Sequence, residues 1–220
     1  MTERITTSDL KTMLINAALS LRENSGHLSQ LDCVAGDGDH GTTMLRVAEQ
    51  LEAAVEDASS QNPAALLKNC GVRVLGVDGG ASSALLGMFF RGMGDGAGEE
   101  DPDCEAIVGI FESGMNALLR QTKARAGDKT MVDALVPAVA ALRMAAQMGK
   151  PIPAALEDAA TAARAGADRT KTLVARCGRA KFLGEKTLGH ADAGATSVAL
   201  LFHGFSEALV ARQEKDHGGR

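Results

Sequence analysis

The sequence contains neither tryptophan nor tyrosine, and six phenylalanines are its only large aromatic side chains. The formal net charge is −5, and the lysines and arginines do not gather into a basic stripe. Proteins that bind nucleic acid need cations against the phosphate backbone and often need aromatic rings against the bases. The composition therefore argues against nucleic acid as a partner.

Cysteine is also scarce, and the chain lacks the close Cys or Cys/His spacing that is typical of zinc sites. The N-terminus shows no apolar leader, and we expect no apolar run that approaches the length of a membrane span. These features favour a cytoplasmic protein with reduced thiols and no contact with a membrane. With 220 residues and 45% apolar content, we expect one domain over residues 1–220.

Alternating strand patterns are hard to find, whereas apolar residues recur at helical spacing along most of the chain. The first helix is predicted to start at a Ser8 cap. Further helices are predicted at residues 42–57, 63–76, 82–93, 103–123, 130–148, 153–166 and 194–213, with a shorter helical stretch at 169–175. The sequence thus predicts an all-α protein with about eight helices.

The most informative segment is a glycine-rich loop, 31–43, that carries Asp32, Asp37 and Asp39 within eight residues. Carboxylates at this density repel one another unless a cation balances them, and Mg²⁺ takes oxygen ligands while keeping sites open for phosphates. The loop runs into a predicted helix, whose N-terminal amides suit an anion. The pattern favours a magnesium site, although a solvated turn in which one aspartate caps the helix is the alternative.

Three further segments have the composition of phosphate-binding turns. Gly76–Ser83 leads directly into an apolar helix and ends in serine hydroxyls. Ala126–Met131 combines a turn with a mobile cation, Lys129. The polar stretch 176–197 carries Arg179, which suits a phosphate or ribose contact. Each segment alone also fits an ordinary capped turn or a solvated surface, and no Walker-type loop is present.

Taken in order, these motifs resemble one family. They are Asp32 with Gly-Asp-Gly-Asp-His-Gly at 36–41, Gly-Gly-Ala-Ser at 79–82, Gly-Asp-Lys-Thr-Met at 127–131, Gly-Arg-Ala at 178–180 and Gly-His-x-Asp-x-Gly-Ala-Thr-Ser at 189–197. The series is similar to the L subunit, the nucleotide-binding domain, of dihydroxyacetone kinases. This resemblance implies an antiparallel up-and-down eight-helix barrel that holds ATP or ADP at one end through two Mg²⁺ ions.

The resemblance also implies roles for residues at matching motif positions. The metal ligands would be Asp32, Asp37 and Asp39. The nucleotide contacts would be His40, Gly41, Thr42, Thr43, Gly80, Ala81, Ser82, Met131, Arg179, Asp192 and Ala193. No catalytic residue beyond the metal ligands is identified on this chain.

Three departures from the family pattern and one preference follow from the motifs. Ala193 stands where many relatives have proline, Ser83 replaces a common glycine, and Thr122 occupies a position near the adenine pocket that can be glycine. Gly38 and the pair Thr42-Thr43 resemble members that use exchangeable ATP. Phosphotransferase-system members, which keep ADP as a bound coenzyme, often carry a different first loop.

By resemblance, the chain is a kinase subunit that transfers the phosphoryl group of Mg-bound ATP to dihydroxyacetone or a similar ketose such as erythrulose. A partner K subunit would hold the ketose, and a phosphoryl carrier protein would be a partner in the phosphotransferase-system form. The identity of the ketose and a homodimer stay open. A metal-dependent phosphohydrolase and a nucleotide-sensing adaptor are the alternatives that also fit the aspartate loop.

Overall fold

The structure, a computed structural model, describes residues 4–57 and 62–218, with side chains as far as residue 210. Within these residues the chain forms nine α-helices and no strand, apart from a single bridge between Arg4 and Asp103. The helices are α1 (Thr7–Glu23), α2 (Ser25–Cys33), α3 (His40–Glu56), α4 (Pro63–Leu75), α5 (Gly80–Gly96), α6 (Cys104–Leu119), α7 (Val132–Gln147), α8 (Ile152–Arg169) and α9 (Ala193–Gly218), with 3₁₀ segments at Thr170–Thr172 and Arg179–Thr187.

Local capping explains where several helices begin. The Thr6 hydroxyl accepts from the Asp9 amide, and the Asp9 carboxylate accepts from the Thr6 amide. This capping box satisfies two amides at the start of α1, so the predicted cap at Ser8 is wrong by two residues. Asn62 caps α4 through the Ala65 amide, with Pro63 in the first helical turn.

Eight of the nine helices described form a closed ring. α1 packs against α3, each helix from α3 to α8 packs against the next in sequence, and α9 packs back against α1. Because neighbours in sequence are neighbours in space, the chain runs up and down around the ring. The predicted all-α eight-helix barrel is confirmed. The ninth helix, α2, is an addition to the ring and packs mainly against α3.

Five of the six phenylalanines form one buried cluster inside the ring: Phe89, Phe90, Phe111, Phe202 and Phe205. Neighbouring ring centroids lie 5.3–6.3 Å apart in tilted or edge-to-face arrangements, which is the preferred geometry for aromatic pairs. The cluster joins α5 and α6 to α9 across the interior of the barrel.

The composition of α9 departs from one expectation. Its segment Ala193–Val210 is long enough to span a membrane and has a mean hydropathy of 1.3, so the expectation that no apolar run approaches this length is wrong. Within the protein, 61% of this segment is buried. Its apolar residues include Phe202 and Phe205 of the aromatic cluster, so the segment has the character of a core helix.

Several predicted boundaries change in the structure. The helix α2 was not predicted, because its nine residues bury fully only Leu28 and carry too short an apolar stripe. As a result Asp32 lies in the last turn of α2 rather than in a loop. The stretch predicted as helical at 169–175 is the 3₁₀ turn Thr170–Thr172, and the predicted long loop contains the second 3₁₀ segment.

Candidate functional site

A cleft of about 680 Å³ opens at one end of the barrel. In an up-and-down ring, alternate connections between helices lie at the same end. The connections that precede α3, α5, α7 and α9 all contribute residues to the walls of this cleft. The four motif segments of the sequence therefore meet in one place.

Twelve of the fourteen residues predicted for the site line the cleft: Asp32, Asp37, Asp39, His40, Thr43, Gly80, Ala81, Ser82, Met131, Arg179, Asp192 and Ala193. The other two do not. Thr42 is exposed. Gly41 is buried against α2, where an added Cβ would lie 1.9 Å from the carbonyl oxygen of Ser25. Gly41 thus allows α3 to start in contact with α2, and its role in the structure is a close approach.

The three aspartates converge on one volume, with one carboxylate oxygen from each lying within 4.8 Å of the others. Asp32 lies in α2, and its carboxylate is held in place by hydrogen bonds from the turn that follows. Its Oδ2 accepts from the amides of Gly38 at 2.9 Å and His40 at 3.4 Å. Gly38 makes this turn with φ 78°, a conformation that favours glycine. The result is a set of oxygen donors of the kind that hard divalent cations bind.

The electrostatics of this cluster are those of crowded anions with one cation. Arg179 reaches across the cleft and forms an ion pair with Asp37, and this hydrogen bond lowers the pKa of the Asp37 carboxyl. Desolvation, followed by the charges of Asp37 and Asp32, raises the pKa of Asp39. A single guanidinium therefore leaves part of the repulsion uncompensated, and a divalent cation would balance it.

His40 starts α3 and points into the protein. Its Nε2 lies 2.8 Å from the Ser197 hydroxyl, which itself donates to the carbonyl of Ala193 at 3.1 Å. Because the hydroxyl proton is used there, the histidine Nε2–H is the donor to Ser197. Burial lowers the pKa of the His40 imidazole. Burial thus favours the neutral ring, and the hydrogen bond fixes it between α3 and α9. This contact spans 157 residues, and the sequence does not reveal it.

The turn before α5 separates the roles of two serines. Ser83 is buried and donates its hydroxyl to the Val77 carbonyl at 3.0 Å, so it closes the turn. Ser82 lines the cleft instead. From the sequence, either serine could be a phosphate ligand. In the structure, only Ser82 lines the cleft. The amides at the start of α5 lie beside it, which suits an anion.

The segment before α7 is ordered by two buried charged residues. The Asp133 carboxylate accepts from the amides of Gly127 at 2.5 Å and Thr130 at 2.9 Å. Lys129 is 5% exposed and donates to two backbone carbonyls, so the expectation that it is a mobile cation is wrong. The burial of Lys129 has no signal in the local sequence, because its partners lie in distant segments.

Asp192 is half-buried at the wall of the cleft and makes a structural hydrogen bond. Its carboxylate accepts from the Ala195 amide at 2.7 Å in the first turn of α9. Burial raises the pKa of Asp192 to about 6, although that hydrogen bond and Lys129 act in the opposite direction. A carboxyl group in this state adds little negative charge to the cleft below that pH.

The DAK2 domain family matches residues 34–207, which is most of the chain; the match includes three of the motif segments in full and the first from residue 34 onward. The chain therefore belongs to the DAK2 domain family. It is an L subunit of the dihydroxyacetone kinase type, and hence a kinase subunit.

Relatives of this L subunit include the ADP-binding subunit DhaL of the PEP-dependent dihydroxyacetone kinase of Escherichia coli. The two are 37% identical over 80% of this chain and 85% of the relative. The L-erythrulose 1-kinase of Mycolicibacterium smegmatis is 39% identical over 86% of this chain. This chain spans about a third of that enzyme, since the match covers 33% of its length.

A solved structure has the same fold as the L subunit. The dihydroxyacetone kinase from C. freundii in complex with AMP-PNP and Mg²⁺ matches 94% of this chain with a TM-score of 0.71 and 28% identity. The match covers 35% of that longer chain. The nine helices described here therefore correspond to one part of a larger kinase.

Proposed function

We propose that this chain is the nucleotide-binding subunit of a short-chain ketose kinase, which passes the phosphoryl group of Mg-bound ATP to a ketose held on a partner K subunit. One observation carries the proposal: three carboxylates converge within 4.8 Å at a cleft that also receives the N-termini of α3 and α5. Metal ligands and anion-binding amides then face the same volume. One domain over residues 1–220 belongs to the proposal, because ring closure needs both α1 and α9.

Asp32, Asp37 and Asp39 would hold two Mg²⁺ ions. The donor set fits, because all three side chains present carboxylate oxygens and Asp32 is already oriented by two backbone amides. When bound, the ions would neutralise the charge that develops in phosphoryl transfer. The chain's own contribution is to hold Asp32 at the end of α2 beside Asp37 and Asp39 on the turn that follows.

The remaining walls would hold the nucleotide. Ser82 and Thr43 offer hydroxyls beside the amides of two helix starts, and Arg179 offers a guanidinium that suits a phosphate. Arg179 is paired with Asp37. A cation at the aspartates would compete for Asp37 and free Arg179 for the nucleotide. We propose that these two binding events are therefore coupled.

The ketose would lie on another polypeptide, for which dihydroxyacetone and erythrulose are the leading candidates. Support comes from relatives that are named as a subunit of a dihydroxyacetone kinase and as an erythrulose kinase. A cytoplasmic location fits both the proposed chemistry and the burial of α9 in the core.

A second candidate is the phosphotransferase-system form, in which bound ADP is a coenzyme that a phosphoryl carrier protein recharges. The Escherichia coli relative, an ADP-binding subunit of a PEP-dependent kinase, favours it. Gly38 and Thr43 favour exchangeable ATP, whereas Thr42 lies outside the cleft and carries less weight.

Reconstitution tests the proposal. The purified chain is mixed with a K-type subunit, ATP, Mg²⁺ and a panel of short ketoses, and sugar phosphate is measured. We expect turnover only when both subunits are present. Turnover by this chain alone would refute the divided site, hydrolysis of ATP by this chain alone would favour a phosphohydrolase, and turnover that requires a phosphorylated carrier protein would favour the second candidate.

A further inference from the structure

Lys129 has an unusual backbone conformation. Its φ is 62°, and it is the one non-glycine residue with positive φ in the part of the chain that the structure describes. The left-handed region is costly for a lysine and persists only where the surroundings stabilise it. The residue is also buried, with a relative exposure of 5%. Both features indicate a position that is fixed by specific contacts.

The contacts of the Lys129 ammonium join three separate segments. Its Nζ donates to the carbonyl of Thr170, 41 residues away, and to the carbonyl of His190, 61 residues away, both at 2.6 Å. These are short, charge-assisted hydrogen bonds, which are the stronger class in proteins. The ammonium thus ties the turn before α7 to the 3₁₀ turn after α8 and to the segment before α9.

Further hydrogen bonds join the segment before α9 to the 3₁₀ turn after α8. The Asp192 amide donates to the Thr170 hydroxyl at 2.8 Å, and the Gly189 amide donates to the Lys171 carbonyl at 2.8 Å. Asp192 and Ala193 line the cleft directly after His190. The position of this wall is therefore set by contacts with Thr170 and Lys171 and by the charged contact of Lys129 with the His190 carbonyl.

The buried ammonium also has electrostatic partners. Burial lowers the pKa of Lys129, while the charges of Asp192 and Asp133 oppose that change. Removal of the ammonium would leave the buried Thr170 carbonyl and the part-buried His190 carbonyl without their donor. It would also leave Asp192 without a nearby cation. Such losses are costly where the groups are shielded from water.

We propose that Lys129 is a positioning residue of the nucleotide cleft, whose ammonium holds residues 189–193 in the place that nucleotide binding requires. The inference rests on the proposed function, because it assumes that the nucleotide occupies this cleft. Lys129 acts through the backbone that it holds, and two of its three ammonium hydrogens are committed to that backbone.

Two substitutions separate the ammonium from the rest of the side chain. Lys129→Met keeps most of the apolar stem and removes the charge. Lys129→Gly removes the side chain but suits a φ of 62°, and it leaves space that n-butylammonium could enter. Lys171→Met is the matched control, since Lys171 is an exposed lysine at the same corner that pairs with Asp168.

Two measurements are made on each variant. Amide hydrogen exchange of residues 189–195 is followed in the ligand-free protein, and the Kd of Mg-ADP is measured by calorimetry. We expect Lys129→Met and Lys129→Gly to exchange faster in this segment and to bind Mg-ADP about tenfold or more weakly, with Lys171→Met unchanged. We expect n-butylammonium, but not the neutral n-butanol, to restore much of the affinity of Lys129→Gly.

The outcomes that overturn the inference are distinct from failure of the proposed function. Unchanged exchange in residues 189–195 would show that Lys129 does not hold this segment. Faster exchange with an unchanged Kd would reduce Lys129 to a structural contact, as would equal effects of the amine and the alcohol. If the unsubstituted protein fails to bind Mg-ADP, the proposed function falls, and with it the nucleotide part of the inference.

Discussion

At the scale of single residues, the two exposed aspartates of the cluster differ in what surrounds them. Asp37 is paired with Arg179, which lowers its pKa. Arg179 forms its ion pair with Asp37 rather than with Asp39. Desolvation and the Asp37 and Asp32 carboxylates raise the pKa of Asp39, and the charge of Arg179 offsets only part of this. Removal of either charge should therefore weaken metal binding. In the metal-free protein, only removal of the Asp39 charge should leave the stability unchanged or higher.

Asp37→Asn and Asp39→Asn should each weaken Mg²⁺ binding by about 100-fold, because each removes an anionic ligand rather than an outer-shell partner. In chelator, Asp39→Asn should melt at the same or a higher temperature than the unsubstituted protein, whereas Asp37→Asn should not melt higher, since Arg179 loses its partner. Calorimetry and thermal melts measure both quantities. A sharp fall in the melting temperature of metal-free Asp39→Asn would instead indicate a structural role for Asp39.

Asp192 gives a prediction for pH. Its pKa rises from an ordinary 3.8 to about 6 on folding, so the stability that accompanies its protonated form is present below 3.8 and is lost as pH rises through about 6. Two pKa units correspond to about 3 kcal/mol. Asn keeps the hydrogen bond with the Ala195 amide and does not titrate. As the pH rises from about 3.5 to about 6.5, the free energy of unfolding of Asp192→Asn should therefore rise by about that much relative to that of the unsubstituted protein. Denaturant unfolding at several pH values measures it, and a difference that stays constant with pH would contradict the account.

At the scale of elements, the contact between α2 and α3 connects packing with the site. Asp32 is carried by the last turn of α2, and α2 is held against α3 where Gly41 meets the Ser25 carbonyl. A side chain at residue 41 would force the two helices apart. The position of Asp32 should therefore depend on this glycine.

Gly41→Ala should lower the free energy of unfolding by about 1–3 kcal/mol, as is usual for overpacking, and should also weaken Mg²⁺ binding. Gly26→Ala is the matched control in α2, because an added Cβ there meets nothing within 4 Å. Urea unfolding and calorimetry measure the two effects. If Gly41→Ala binds Mg²⁺ as the unsubstituted protein does, α2 does not set the position of Asp32.

The helices also show which parts of the fold could be predicted from the sequence. All eight ring helices carry apolar residues at helical spacing, so their existence was predictable from local pattern. The extra helix α2 was not, because it buries only Leu28 fully and packs against α3 at Gly41 rather than through an apolar stripe of its own. The site residues were predicted from motif order. The contacts that hold them, such as His40 with Ser197, join distant segments and have no local signature.

At the scale of the whole molecule, the aromatic cluster holds the barrel together. Phe111 contacts Phe89, Phe202 and Phe205, and so it joins α6 to α5 and α9. Five of the six phenylalanines of the chain lie in this one cluster. Ring closure itself was expected from the family resemblance, since periodicity gives the helices and not their order around a barrel.

Phe111→Ala should lower the free energy of unfolding by about 3–5 kcal/mol, because it empties the centre of this cluster. Phe182 provides the control, since it is 82% exposed on the 3₁₀ segment and Phe182→Ala should change stability by no more than about 0.5 kcal/mol. Chemical denaturation of both variants makes the comparison. Equal losses would contradict the assignment of the cluster as the core of the barrel.

The central claim is that metal and nucleotide occupy one cleft and that the three aspartates link them. Calorimetric titration of the isolated chain with ADP, in Mg²⁺ and again in chelator, tests it most directly. We expect binding in Mg²⁺ and little or none in chelator, because the phosphates and the unbalanced carboxylates repel one another. Equal affinity under the two conditions would contradict the metal-linked site.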